Sequence, residues 1–461
     1  MSRSWTFPAS YAQERVWFAN QLDPGSSVYN VSSPTELPDG LTEEQVRGVL
    51  AAVVGRHESL RTHFTLDSDT LKQVVHERVD VDPAVHDLTH IAYDEQAPHI
   101  DALASALARR AIPLDQPPLW RAELVRRGER RWTLLVVVHH AVFDSRSHLV
   151  FDREVHAFAE AALRGEALEL PEAEIQYADF AVWQRDHITG AELERRLAHW
   201  RTALAGAPPV IALPTDRPRP DRLGFDGDEV WFDLPDGLLD RVGALAQSLS
   251  ATPYMVLLAA YAALLSRLSA TDDIVIGVST AGRDRAELAE LIGMFVNPVV
   301  LRADAAGDPA FAELVARVKV ALVDAMDHGD TPFQAIVADL VTRPDPAVQP
   351  LFQVAFNFVP DSGFDEVKLG TTKDDLAFDI TTGRSRLLYR TALFDRSTAE
   401  AVVERYGRLL AAAVAEPETA LSALPIMAAG ERDAVLAAGR GEVRDLPDPV
   451  PALLKSEAKR S

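Results

Sequence analysis

The stretch Arg131-Trp132-Thr133-Leu134-Leu135-Val136-Val137-Val138-His139-His140-Ala141-Val142-Phe143-Asp144-Ser145 decides how this chain is read. Its first part is an almost continuous β-branched and aliphatic run, which fits a strand buried on both faces and disfavours a helix. The run ends in two histidines, where a buried sheet edge would open into a loop. Asp144 and Ser145 follow, ahead of a helix expected from Ser147 to Ala162. Histidine is the side chain whose neutral form accepts a proton near pH 7, and an amine or alcohol attacking a thioester must lose one. A buried Asp144 would demand a cationic partner, and such a pair would pin the loop. By themselves two adjacent histidines are also open to a packed strand end or a metal-decorated surface. No other His, Asp or Glu stands at a familiar zinc-ligand spacing, so no metal is expected.

Outward from this stretch the pattern is mixed α/β. Helical spacing runs from Thr42 to Arg56, Asp101 to Arg110, Leu238 to Ser248, Tyr254 to Leu268 and Ala399 to Ala413. Short buried strands are expected at Asp273–Val278 and Phe352–Phe358. The proline-dense crossover at about 207–222 cannot continue a helix or a central strand. At 461 residues two similar-sized units are expected, an N-terminal one over 1–175 and a C-terminal one over 176–439. Polar residues and prolines predict poor order over 440–461.

Composition narrows the function classes. Hydrophobic content of 47% and charged content of 25% are those of an ordinary globular protein. The absence of cysteine removes disulfides and thiolate chemistry and suits a cytoplasmic location. Neither a signal peptide nor a membrane-spanning run is evident. A formal charge of −23 argues against a nucleic-acid partner. Against that background Arg109, Arg110, Arg121, Arg126, Arg127, Arg130 and Arg131 cluster locally. They read either as solvated helix ends and a hairpin tip or as a face for an acidic partner.

Taken with its neighbours, the histidine run resembles the HHxxxDG signature of the condensation domains of nonribosomal peptide synthetases. The other family motifs follow in order. Ser10-Tyr11-Ala12-Gln13-Glu14-Arg15-Val16-Trp17-Phe18 is similar to the first, and Arg56-His57-Glu58-Ser59-Leu60-Arg61-Thr62-His63-Phe64 to the second. Tyr177-Ala178-Asp179-Phe180-Ala181-Val182-Trp183 follows the histidines, then Ile292-Gly293-Met294-Phe295-Val296-Asn297. His328-Gly329-Asp330-Thr331-Pro332-Phe333 and Pro350-Leu351-Phe352-Gln353-Val354 complete the series.

The resemblance implies an α/β fold of two chloramphenicol-acetyltransferase-like lobes in a V with a central tunnel. A phosphopantetheine arm, supplied on an aminoacyl carrier protein and not bound as a cofactor by the chain itself, would enter one side. A small-molecule alcohol or amine acceptor would enter the other. His140 matches the residue taken as catalytic, with His139 supporting and Asp144 structural. Arg61 is the first choice for the partner of Asp144 and Arg283 the second. Arg283 and Asn297 are also candidates for the tunnel wall, although a turn or strand-end role suits Asn297 equally. Trp183 and Phe295 read as core aromatics. Ser145 stands where the family has glycine, adding a Cβ and a hydroxyl that would crowd the arm or hydrogen-bond to it.

No Gly-Gly dipeptide offers a carrier-type serine setting, and no Gly-rich phosphate loop with a following lysine appears. The chain therefore reads as a free-standing condensation enzyme similar to the ester-forming members of enediyne pathways, with amide formation the close alternative. A coenzyme A-dependent acyltransferase sharing the HxxxD core is the nearest enzymatic rival. The plant-type DFGWG segment is absent. Epimerisation would need an attached upstream peptide, and cyclisation domains carry aspartates in place of the histidines. The non-enzymatic rival is a domain that recruits other enzymes to a carrier, in which the histidine pair is usually broken.

Overall fold

In the computed structural model, residues 3–359, 367, 369–428 and 430–439 are described. The expectation for 440–461 lies outside them. The first half carries strands β1 (Ser4–Pro8), β2 (Asn30–Glu36), β3 (Thr62–Asp67), β4 (Thr70–His76), β5 (Ala84–Asp87), β6 (Trp120–Gly128) and β7 (Arg131–His139). The second carries β8 (Gly227–Phe232), β9 (Asp273–Thr280), β10 (Asn297–Asp304), β11 (Val354–Phe358), β12 (Leu376–Ile380) and β13 (Ser385–Arg390). The helices are α1 (Tyr11–Leu22), α2 (Glu43–Arg56), α3 (Ala97–Ala108), α4 (Ser145–Arg164), α5 (Tyr177–His187) and α6 (Gly190–Ala203). They continue with α7 (Leu238–Ser248), α8 (Pro253–Ser269), α9 (Phe311–Asp327), α10 (Phe333–Leu340), α11 (Arg396–Ala415) and α12 (Glu431–Gly439).

These elements form three sheets, ordered β1-β4-β3, β2-β7-β6-β5 and β10-β9-β11-β12-β13-β8. The apolar run ahead of the two histidines is β7, an interior strand paired antiparallel to β2 and β6, with every residue after Arg131 buried. Its β-branched side chains fill both faces, which is why it shows no alternation. In the second half α8 plays the equivalent part. Val256 to Leu265 are all buried, so a helix apolar on every side lies under the six-stranded sheet. Among the described residues no single helix is long and apolar enough to cross a membrane; α7 and α8 qualify only as a pair bent by 103°.

Local chemistry sets the boundaries that periodicity left loose. Ser10 caps α1 in a reciprocal box with Gln13. Proline in its first turn starts α3 at Ala97, ahead of the expected Asp101. Asp144 caps α4, so that helix begins at Ser145 and not at Ser147. The proline-dense crossover holds no helix or strand between α6 and β8.

Two apolar cores result, but the chain does not divide cleanly between them. Tyr177 of α5 and Leu288, Leu291, Ile292, Met294 and Phe295 of the second half pack into the first core. The Tyr177 hydroxyl donates to the Met294 carbonyl (2.6 Å) and sits 2.7 Å from Ser10 Oγ, while Ser59 Oγ donates to the Ile292 carbonyl (2.6 Å). The motif residues of the sequence therefore meet at one junction. Gly293 is required there, because a Cβ on it would stand 2.0 Å from the Tyr177 ring.

Gly293→Ala is expected to destabilise the protein by about 1–3 kcal/mol through overpacking. Gly243→Ala in α7 meets nothing within 4 Å and is expected to stabilise by up to about 1 kcal/mol. Urea denaturation of the two variants checks this; equal midpoints would contradict it.

Candidate active site

Strand β7 delivers His139 and His140 to a single 3-10 turn over His140–Val142. His139 is buried, and its Nδ1 accepts the Ala141 N–H (3.1 Å), capping that turn. Its Nε2 is sealed from solvent and has no hydrogen-bond partner among the described residues. Burial, with the Lys373 charge as a smaller cause, holds its pKa down to about 3. His139 is thus a neutral wedge that fixes its neighbour.

The ring of His140 is oriented by two short contacts. Its backbone N–H donates to the Tyr29 carbonyl (2.7 Å), and its Nδ1 lies 2.7 Å from the Phe143 carbonyl. A carbonyl only accepts, so Nδ1 carries the proton and Nε2 keeps its lone pair. Among the described residues nothing hydrogen-bonds to that Nε2, and His140 keeps some accessible surface. Desolvation pushes its pKa well below the ordinary histidine value, and the charges of Lys373 and Arg15 push it further. The arrangement presents a neutral imidazole with its acceptor nitrogen free.

Asp144 sits completely buried at the cap of α4. Its Oδ1 accepts from Ser147 N (2.8 Å), Ser147 Oγ (2.8 Å) and Arg283 Nη2 (2.9 Å), and its Oδ2 from Phe295 N (3.1 Å). The first-choice partner, Arg61, is therefore a wrong expectation. Arg61 instead donates to the carbonyls of Val54 (3.2 Å), Glu77 (3.1 Å) and His76, tying the end of α2 to β4. Arg283 is not a tunnel-wall residue either. It is 4% exposed, lies 4.1 Å from the Phe295 ring, and gives Nη1 to the carbonyls of Leu288 (2.6 Å) and Leu291 (2.7 Å).

Asn297 has the strand-end role. Its amide donates to the carbonyls of Gly329 (2.9 Å) and Thr331 (2.7 Å) and accepts from Phe333 N (3.1 Å), so both of its N–H groups are spent on the turn that follows. Ser145 is exposed at the first position of α4. Phe295 is a core aromatic, whereas Trp183 is half-buried against His187 and Arg285.

Sequence reading missed a charged group facing the histidines. The Lys373 ammonium lies 4.6 Å from the Tyr29 ring centre, and that ring is 6.1 Å from His139. Arg15, on α1, packs with its helix against the 3-10 turn of His140. Arg15, Lys373 and Asp374 lie deep in the protein yet, like His140, retain partial exposure, as residues lining an internal cleft do. Burial lowers Lys373 to about 8 and raises Asp374 to about 6. Arg15 was legible only as a member of the first motif, and nothing local marks Lys373 or Asp374.

Other features are quieter. Two surface cavities of about 510 and 550 Å³ flank His63 and Arg153 respectively, and neither contains His140. In the arginine cluster, Arg127 pairs with Glu36, Arg131 with Asp39 (2.6 Å) and Arg126 with Asp87 (3.8 Å), around the β6–β7 hairpin. Among the described residues His199, Asp324 and His328 bring ligand atoms within 4.8 Å of one another. The two imidazoles are stacked 3.4 Å apart at 2°, however, so their in-plane lone pairs do not converge on one ion.

Arg283→Ala is expected to cost about 3–5 kcal/mol, because it strands a buried carboxylate. Arg61→Ala frees only carbonyls, at about 1–3 kcal/mol. In double-mutant cycles with Asp144→Asn, denaturation should show coupling for Arg283 and additivity for Arg61. Coupling to Arg61 would overturn the assignment.

Comparison with known proteins agrees with this geometry. Residues 4–436 match the model of the Condensation domain family. The chain is 38% identical over 454 residues to a linear gramicidin synthase protein of Brevibacillus parabrevis, covering 95% of this chain but only 9% of that synthase. Among solved structures, the X-domain in complex with OxyB from teicoplanin biosynthesis is 27% identical with a TM-score of 0.81, covering 93% of this chain and 98% of that one. SgcC5 of Streptomyces globisporus, solved with (R)-(-)-1-(2-naphthyl)-1,2-ethanediol and sucrose, is 26% identical with a TM-score of 0.76, covering 90% and 100%. The α/β fold of two acetyltransferase-like lobes is thereby established, and with the family model spanning almost all of it, this chain belongs to the condensation domain family.

Proposed function

We propose that this chain transfers an aminoacyl group from the phosphopantetheine thioester of a carrier protein to the hydroxyl or amine of a soluble small molecule. The observation that carries this reading is the 2.7 Å contact between His140 Nδ1 and the Phe143 carbonyl, which requires the proton on Nδ1 and so leaves Nε2 as an acceptor. A nucleophile hydrogen-bonded to Nε2 gives up its proton as its lone pair attacks the thioester carbon. When the C–S bond breaks, the proton passes to the departing thiolate, leaving an ester or amide and a free thiol. General-base assistance of this kind is worth about 10²–10⁴-fold. His139 and Asp144 act through position alone, one capping the turn and the other holding the start of α4.

A soluble acceptor and an ester product are supported by the likeness to SgcC5, whose own structure holds a diol. The likeness to the teicoplanin X-domain, solved with OxyB, favours a second reading, in which the fold recruits another protein. The intact histidine pair and the free Nε2 favour catalysis.

His140→Ala is expected to lower turnover of an aminoacyl-loaded carrier with a panel of diols and amines by about 10²–10⁴-fold, read by mass spectrometry. Undiminished product would remove His140 from the chemistry. Because its folded pKa is depressed, His140 stays neutral as pH falls through 6.5. The rate should therefore hold through that point and drop only below it. A drop centred at 6.5 or above would contradict the burial argument.

A further inference from the structure

Arg15 and Lys373 stand out because, among the described residues, their positive charge is only partly matched, Asp374 and Asp379 acting on Lys373 without pairing with it. Among the described residues neither makes an ion pair, and the Arg15 Nε is sealed from solvent with no hydrogen-bond partner. Lys373 caps the Tyr29 ring instead of an acid (4.6 Å). Asp374, the adjacent carboxyl, points an unpartnered, buried Oδ1 and is itself pushed toward the neutral form by burial. Two cations that both act on His140 are thus set against Asp374, weakened by burial, and Asp379, which is already paired with Arg386. An unmatched buried charge is costly, and a cleft that keeps one is suited to a ligand that brings the opposite sign.

We propose that Arg15 and Lys373 form a carboxylate-binding subsite beside His140, which selects a substrate carrying a free carboxylate. This deepens the function proposed above and rests on it. The phosphate of a carrier arm does not fit the position, since the whole pantetheine chain separates it from the reacting thioester. The carboxyl that forms the thioester is itself consumed. A free carboxylate at this place therefore belongs either to the soluble acceptor or to an acidic side chain on the donor. Bound there, it would offset the two charges that disfavour protonation of His140. The substrate would restore basicity to the group that activates it.

The test uses the full chain with loaded carriers and two matched pairs. Acceptors differ only in a carboxylate or its primary carboxamide, and donors are aspartyl or asparaginyl. The acid acceptor is expected to be preferred at least about tenfold in kcat/KM, mostly through KM. In Lys373→Met, Lys373→Gln and Arg15→Gln, each checked for folding by circular dichroism, the acid-to-amide ratio should fall toward one. A preference for the aspartyl donor, lost in the same variants, would support the subsite and place the carboxylate on the donor side. Equal rates within both pairs, or a preference that survives in all three variants, would overturn the subsite while leaving the role of His140 intact. If no acceptor is turned over, calorimetric titration with the acceptor acids and their amides decides. Tighter binding of the acids that is lost in Lys373→Met upholds the subsite, and indifferent binding overturns it.

Discussion

The structure turns on a buried ion pair between halves of the chain that are far apart in sequence. Asp144 has no exposure and Arg283 almost none, so neither charge is tolerable without the other. Hydrogen bonds from Ser147, Arg283 and the Phe295 backbone converge on the carboxylate and engage both of its oxygens. Because Asp144 also caps α4 one turn after His140, the pair fixes both the helix and the turn that aims the imidazole. The two lobes cannot separate at this seam without exposing a charge, and Gly293 allows the backbone to come close enough for it to form.

That seam also explains which parts of the molecule were legible beforehand. Strand β7 and helices α2, α7, α8 and α11 follow from apolar spacing, because burial alone decides them. The motifs located the histidines and the carboxylate. They did not locate the carboxylate's partner: Arg61 ranks ahead of Arg283 on the motifs, and only the folded chain reverses that order. Arg61 reaches three carbonyls that no side-chain pattern announces. Asn297 was likewise ambiguous, because an amide that serves a turn and one that serves a ligand look the same in sequence. The least legible group was Arg15, Lys373 and Asp374, contributed by a helix of the first half and a loop of the second.

Electrostatics gives these late-appearing residues their meaning. An imidazole deep in the protein beside two cations is poor at holding a proton and is always available to accept one transiently. His140 is therefore neutral at rest, with its tautomer set by the Phe143 carbonyl and its surroundings waiting for negative charge. In the proposed acyl transfer a developing oxyanion would supply such charge briefly, and a bound carboxylate would supply it throughout. The position of His140 comes from the Asp144 seam, and its neutrality comes from burial and the nearby charges of Lys373 and Arg15.

The most direct measurement is a pH titration of ¹⁵N-histidine-labelled protein by NMR, with His140→Gln used to assign the signal. The account predicts a neutral ring, protonated on Nδ1 and bare on Nε2, that persists as pH is lowered through 6.5. A ring protonated on Nε2 at neutral pH, or one that titrates at 6.5 or above, would contradict it.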